Sequence, residues 1–223
     1  MDFRFRALST GVFALCFMFL LLTPPSAVAD SVTISVNTSA VTGVSASLAF
    51  DLINGGSASN TVTISDFSTD GTLGAVSPTG EVTGTLPGTV TLMDSPASFF
   101  NEYLTGMTLG ASISFVLDAT TNGPDPVSVP DALSVFLLDP ITGLPLFPTS
   151  DPTYSDSLFN LNIDGTPTGT LSVYSAPGGE AVVTATPVTA TSIPEPATFF
   201  LLIVGLAFLS FKRHAATLSG KTF

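Results

Sequence analysis

LGASISFVLD, residues 109–118, alternates apolar and small polar side chains along its length. In an extended chain, successive side chains point to opposite faces, so Ile113, Phe115 and Leu117 would share one face. The stretch is therefore predicted to form a β-strand with one face buried against a core.

Similar short runs recur along the chain and are separated by Gly, Pro, Asn, Asp and Ser. The predicted strands cover residues 31–36, 44–53, 61–67, 80–85, 88–93, 109–118, 132–138, 144–147, 158–163, 169–174 and 181–185. The run 132–138 is almost wholly apolar, which indicates burial on both faces. We therefore predict an all-β fold, an antiparallel β-sandwich that is jelly-roll-like, with a barrel as the main alternative.

Residues 95–106 interrupt this rhythm. Four large side chains follow the i, i+3, i+4 spacing of a helix face: Phe99, Phe100, Tyr103 and Leu104. The pattern predicts a single helical turn or an aromatic-packed loop. We interpret these side chains as core packing at one end of the sandwich rather than as a platform for a ligand.

The region between residues 30 and 197 contains no basic side chain. The Lys and Arg residues all lie outside it (Arg4, Arg6, Lys212, Arg213 and Lys221), whereas every acidic residue except Asp2 lies inside it. Because neutralising phosphates requires Lys or Arg, nucleic-acid binding is excluded. We interpret the acidity mainly as surface charge that keeps an exported protein soluble.

Missing residue types also argue against an enzyme. The only His is His214 and the only Cys is Cys16, so the central region can build neither a Ser-His-Asp triad nor a His or Cys zinc site. Carboxylate-only chemistry, as in glycosidases, would remain, but no particular carboxylate pair can be selected from the sequence. We therefore interpret the domain as non-enzymatic and without a resident cofactor.

The N-terminal 29 residues have the three parts of a secretory signal peptide. A short basic start precedes an apolar run over residues 7–22, and Ala27 and Ala29 supply the small-residue pattern of a cleavage site. Cleavage is predicted before Asp30.

The C-terminal region combines three features in a fixed order. The triplet Pro194, Glu195 and Pro196 precedes an uncharged apolar run, which the basic pair Lys212 and Arg213 follows. The run contains Phe199, Leu201, Leu202, Ile203, Val204, Gly205, Leu206, Phe208 and Leu209. We predict that it forms a single transmembrane helix, whose span is extended by snorkelling of the basic pair. Basic residues at that end predict a cytoplasmic C-terminus and an exported domain.

This tail resembles the PEP-CTERM sorting signal of surface proteins in Gram-negative bacteria. The resemblance is carried by the Pro-Glu-Pro triplet, the apolar run with Gly205 and the basic pair. It implies that an exosortase in the inner membrane recognises the tail and cuts near the triplet. It also implies delivery to the cell envelope or extracellular matrix, among the exopolysaccharide of a biofilm. The chain departs from the family pattern because residues 215–223 follow the basic pair.

The sequence thus divides into five predicted parts. They are a signal peptide (1–29), a β-sandwich domain (30–186), a Thr- and Pro-rich linker (187–193), a sorting and anchor segment (194–214) and a short tail (215–223). The predicted function is that of a secreted, non-enzymatic surface or matrix protein, sorted by exosortase.

A lectin-like carbohydrate-binding module is one alternative. Sugar sites favour exposed aromatic side chains, but Trp is absent and the tyrosines are limited to Tyr103, Tyr154 and Tyr174. The composition therefore weakens this alternative without excluding it.

A calcium-stabilised adhesin is the other alternative. Asp118, Asn122 and Asp125 lie in one turn-rich segment, and Asp151 and Asp156 lie in another. Calcium binds six to eight oxygen ligands, which such segments could supply. The same residue types also form turns without any metal.

Overall fold

Alternating apolar residues produce twelve strands in the computed structural model, which describes residues 31–56, 59–122, 129–166 and 169–188. The strands are β1 (Val32–Asn37), β2 (Ser45–Ile53), β3 (Thr61–Thr69), β4 (Thr72–Thr79), β5 (Val82–Gly84), β6 (Val90–Met93), β7 (Phe100–Thr108), β8 (Ser112–Ala119), β9 (Asp131–Leu138), β10 (Phe159–Ile163), β11 (Thr170–Val173) and β12 (Val182–Pro187). The one helix within the described ranges is a 3₁₀ turn at Ser39–Val41.

The strands form two six-stranded antiparallel sheets that pack as a sandwich. Sheet A has the order β12-β1-β8-β3-β6-β5, and sheet B has the order β11-β10-β9-β2-β7-β4. The predicted all-β sandwich is confirmed. The signal peptide, the sorting triplet, the anchor and the tail lie outside the described residues.

Phe115 lies at the centre of the core between the two sheets. Its ring contacts Phe50 edge-on at a centroid distance of 5.3 Å, Phe159 at 6.2 Å and Phe67 at 6.4 Å. Phe50 and Phe159 belong to sheet B, whereas Phe67 and Phe115 belong to sheet A. The predicted inward face of Ile113, Phe115 and Leu117 is confirmed, since all three side chains are buried.

A β-bulge in β3 brings Phe67 into this cluster. The pairing of β3 with β8 shifts register between Ser65 and Ser68. Asp66 adopts a φ of 50°, in the left-handed region that Asp tolerates better than most residues. The extra residue turns Phe67 inward, where it is buried.

The helical turn predicted within residues 95–106 is wrong, because β7 begins at Phe100. Tyr103 faces the core and is fully buried, and its hydroxyl accepts a 2.9 Å hydrogen bond from the backbone N–H of Leu86. Phe99 is instead 70% exposed and Phe100 is 37% exposed. The core-packing interpretation therefore holds for Tyr103 but not for these two phenylalanines.

Two other details of the strand prediction need correction. β9 is buried on one face only, since Ala132, Ser134, Phe136 and Leu138 on its other face are half-buried. The predicted strand at residues 144–147 is reduced to an isolated bridge between Pro145 and Leu138.

β4 was not predicted. It pairs with β7 at the edge of sheet B, and nearly all of its side chains are exposed. A bulge between Leu73 and Val76 interrupts its register, and Pro78 lies within it. Proline is tolerated in edge strands because one side of the strand has no ladder partner.

No helix within the described ranges has the length and apolar character needed to cross a membrane.

Candidate functional site

A row of polar side chains crosses the outer face of sheet B, perpendicular to its strands. Each member lies directly opposite the next in the strand register, from β11 to β4: Ser172, Asn160, Ser134, Asp51, Glu102 and Thr79. We call these six residues the polar row. It carries hydroxyl, amide and carboxyl groups on one continuous surface, with both acidic residues at its centre.

Asp51 and Glu102 are direct cross-strand partners in β2 and β7. Side chains in such pairs have Cβ atoms about 5 Å apart. Burial and, secondarily, the charge of Glu102 raise the pKa of Asp51 to about 7. Burial also raises the pKa of Glu102. At neutral pH the pair therefore shares fewer than two negative charges and offers both a proton donor and acceptors.

Asp51 Oδ1 is buried and has no hydrogen-bond partner. The neighbouring pair in the row is already satisfied, since Ser134 Oγ donates a hydrogen bond to Asn160 Oδ1 and Asn160 Nδ2 donates one to Ser157 Oγ at 3.2 Å. Asp51 thus has unused hydrogen-bonding capacity.

Aromatic side chains flank the polar row on both sides. Phe100 is two residues before Glu102 on the same face of β7, and Phe136 is two residues after Ser134 on the same face of β9. Phe100 is 37% exposed and Phe136 is half-buried. Aromatic faces beside hydrogen-bonding groups suit amphipathic ligands such as sugars.

A second polar cluster is buried at one end of the sandwich. Asp94 directly follows β6 in sheet A, and Asp131 is the first residue of β9 in sheet B. Asn60, just before β3, lies between them: its backbone N–H donates to Asp94 Oδ1, and its Nδ2 donates to Asp131 Oδ2 at 2.6 Å. All three side chains have no exposed surface. The cluster therefore joins the two sheets through polar contacts.

The electrostatics of this cluster are unfavourable for two ionised carboxylates. Burial, only partly offset by the N–H of Asn60, and the adjacent carboxyl of Asp131 raise the pKa of Asp94 above its usual range. Asp131 Oδ1 accepts a 2.7 Å hydrogen bond from the backbone N–H of Gly55. Asp94 Oδ2 is buried without a hydrogen-bond partner.

The predicted calcium residues of the first segment are only partly described. Asp118 accepts a hydrogen bond from Ser31 Oγ. The backbone N–H of Asn122 donates to Asn60 Oδ1, and Asn122 Nδ2 donates to the Ser59 carbonyl at 2.8 Å. Asp125 lies outside the described residues. The structure thus gives separate hydrogen-bond partners to Asp118 and Asn122.

Asp151 and Asp156 act within their own loop. The Asp151 carboxylate accepts hydrogen bonds from Thr153, Ser155 and Ser157. Burial alone would raise its pKa, but these hydrogen bonds outweigh burial and lower the pKa below its usual range. Asp156 accepts a 2.9 Å hydrogen bond from the backbone N–H of Thr149. These hydrogen bonds hold the loop together.

Within the described part of the chain, no three His, Cys, Asp or Glu side chains come together in an arrangement that could hold a metal ion. The sorting triplet Pro194 to Pro196, the basic pair Lys212 and Arg213, and the cleavage residues Ala27 and Ala29 all lie outside the described ranges.

Sequence reasoning missed Asp51, Glu102, Asn60, Asp94 and Asp131. The alternation of β2 does place Asp51 on the outer face, between the buried residues Phe50 and Leu52. Its proximity to Glu102 depends on the register of two strands that are far apart in the sequence, and no local pattern reports that register.

Comparison with known proteins adds no relative. No protein-family model matches the chain. No curated protein and no solved structure matches it either.

Proposed function

We propose that this chain is a secreted, non-enzymatic cell-surface or extracellular-matrix protein, sorted by an exosortase through its PEP-CTERM-like tail. Its jelly-roll-like sandwich would be exported behind the signal peptide and held by the tail helix in the inner membrane until processing. Association with exopolysaccharide in a biofilm would follow from that destination.

The supporting observation is the position of the fold between the two sorting segments. All described strands lie between Val32 and Pro187, after the predicted cleavage site at Asp30 and before the triplet that starts at Pro194. Removal of both segments would therefore cut no described strand. A domain that keeps all of its described strands after both cuts suits a protein that is released in folded form.

Intact mass of the protein from its native host tests this proposal. We expect the form in the extracellular matrix to begin at Asp30 and to end near Pro196. A double variant, Pro194→Ala with Pro196→Ala, should retain Lys212 and Arg213 and accumulate in the membrane fraction, because the recognition triplet is lost.

Pro187→Ala is the matched control, since it replaces a nearby proline outside the triplet, and it should be processed like the wild type. If wild-type protein from both fractions keeps Lys212 and Arg213, the chain is simply tail-anchored and the sorting proposal fails.

The polar row favours a second candidate function, a lectin-like carbohydrate-binding module. Vicinal hydroxyl groups of a sugar can donate to a carboxylate such as that of Glu102, while an apolar sugar face can pack on Phe100 or Phe136. The unused hydrogen-bonding capacity of Asp51 Oδ1 provides a further position for a ligand hydroxyl group.

A glycan array followed by calorimetry with the best-binding oligosaccharide tests this candidate. We expect Glu102→Gln to weaken binding about tenfold, because hydrogen bonds to a charged group contribute about 1.5 kcal/mol or more. Asp139→Asn is the control, since it removes one carboxylate from a turn at the far end of β9 and should leave affinity unchanged.

An array without specific ligands would refute the lectin candidate. Equal weakening by Glu102→Gln and Asp139→Asn would instead indicate a general charge effect, and the polar row would then not be the site. Chain-length analysis of the oligosaccharide should show no cleavage, in accordance with a non-enzymatic role.

A further inference from the structure

The buried cluster of Asp94, Asn60 and Asp131 has a property that packing alone does not explain. Both acidic residues are fully buried, and Asn60 donates hydrogen bonds to both carboxyl groups. Buried ionised groups are tolerated in proteins only when their charge is compensated.

The part of the chain that the structure describes has no basic side chain that could compensate the charge of this pair. Residues 7–211 contain neither Lys, Arg nor His. The N–H groups of Asn60 and Gly55 donate hydrogen bonds to the carboxylates, but they carry only partial charges. The positive charge must therefore come from solution, either as a proton or as a metal ion.

Asp94 Oδ2 is an oxygen atom that could bind such an ion. Asp94 Oδ2 is buried, has no hydrogen-bond partner and belongs to a side chain without exposed surface. Leaving a buried carboxylate oxygen unsatisfied costs about 1–3 kcal/mol or more. An ion at this oxygen would remove that cost and reduce the repulsion from Asp131.

We propose that Asp94 and Asp131 bind one hard divalent cation, of the calcium type, between the two sheets. Carboxylate oxygens are the ligands that such cations prefer, and calcium tolerates the irregular geometry of a loop-built site. Each carboxylate oxygen has a second lone pair besides the one that accepts an N–H. Gly55, whose N–H binds Asp131, and Ser95, which follows Asp94, line a surface cleft of about 450 Å³.

This site is distinct from the calcium segments predicted from the sequence and does not depend on the proposed sorting function. Asp118 accepts a hydrogen bond from the Ser31 hydroxyl and Asp151 accepts one from the Ser155 hydroxyl, whereas Asp94 Oδ2 has no hydrogen-bond partner. A cation here would stabilise the sandwich by joining its two sheets.

Calorimetric titration of the purified full-length protein with CaCl₂, after removal of metals with EDTA, tests the proposal at pH 7.5. We expect one site for the wild type and a thermal unfolding midpoint that rises by about 5 °C at saturating calcium. Asp94→Asn should bind calcium at least about 100-fold more weakly, since changes outside the ligand shell already cost 10–100-fold.

Asp94→Asn keeps the acceptor for Asn60 and removes one repelling charge, so its metal-free form should fold and be at least as stable as the wild type. Asp131→Asn provides a second variant with the same expected loss of binding. Asp139→Asn, which removes a carboxylate from an exposed turn, should bind calcium like the wild type.

Two outcomes would overturn the proposal. If the wild type shows neither calcium heat nor a calcium-dependent midpoint, the pair is compensated by a shared proton. If Asp94→Asn and Asp131→Asn both bind calcium like the wild type, the ion lies elsewhere in the chain.

Discussion

Replacing Phe115 with alanine is expected to lower the free energy of unfolding by about 4 kcal/mol. Phe115 is 2% exposed, and its ring contacts Phe50, Phe67 and Phe159. These four rings come from four different strands, two in each sheet, so collapse of the resulting cavity would require both sheets to move. The site therefore cannot close easily, and most of the cavity cost remains.

Urea unfolding of Phe115→Ala and wild type, followed by far-UV circular dichroism, measures this difference. Phe99→Ala is the control, because Phe99 is the same residue type but is 70% exposed, and it should change stability by about 0.5 kcal/mol or less. A loss below about 1 kcal/mol for Phe115→Ala would mean that the aromatic cluster does not hold the two sheets together.

Phe115 also shows why much of the fold could be predicted from sequence. Its inward position follows from local alternation with Ile113 and Leu117, and a two-residue period needs no knowledge of distant residues. The same local signal gave the inward residues of β1, β2 and β6, which are buried in the structure.

β7 shows where this local signal fails. Its inward face includes the polar residues Asn101 and Thr105, whereas the apolar residues Phe100 and Leu104 lie on the outer face. When only the large apolar residues of this segment are considered, they recur at the spacing of a helix face, which explains why a helical turn was predicted. Asn101 can be buried because its Oδ1 accepts a 2.7 Å hydrogen bond from the backbone N–H of Glu81, a contact that no sequence pattern indicates.

The candidate sites could not be predicted because they depend on contacts between distant residues. Asp94 follows β6 of sheet A and Asp131 begins β9 of sheet B, and the packing of the two sheets brings both within reach of Asn60. The sequence does show that residues 7–211 contain no Lys, Arg or His that could neutralise a buried carboxylate. The structure shows that Asp94 and Asp131 are fully buried carboxylates, and the described part of the chain contains no such basic side chain.

Stability is expected to fall as the pH rises from about 4.5 to 8, chiefly because of Asp51. Burial and the nearby Glu102 raise its pKa from 3.8 to about 7 in the folded state, so the folded protein binds more protons than the unfolded chain in this window. The free energy of unfolding must then decrease with pH. Three pKa units correspond to about 4 kcal/mol, and partial solvent exposure of Asp51 reduces our expectation to about 2 kcal/mol.

Asp51→Asn should remove most of this decrease, because Asn is neutral at every pH and preserves the shape of the side chain. Urea unfolding in EDTA at pH 4.5, 6 and 8 measures the slope without a contribution from bound metal. Asp139→Asn should keep the wild-type slope, since hydrogen bonds from the backbone N–H groups of Thr142 and Ile141 lower the pKa of Asp139, which is therefore largely ionised in the folded and unfolded chain throughout this pH range. If Asp51→Asn retains the full slope, the pH dependence comes from the other carboxyl groups whose pKa is raised by burial, Asp94 and Glu102.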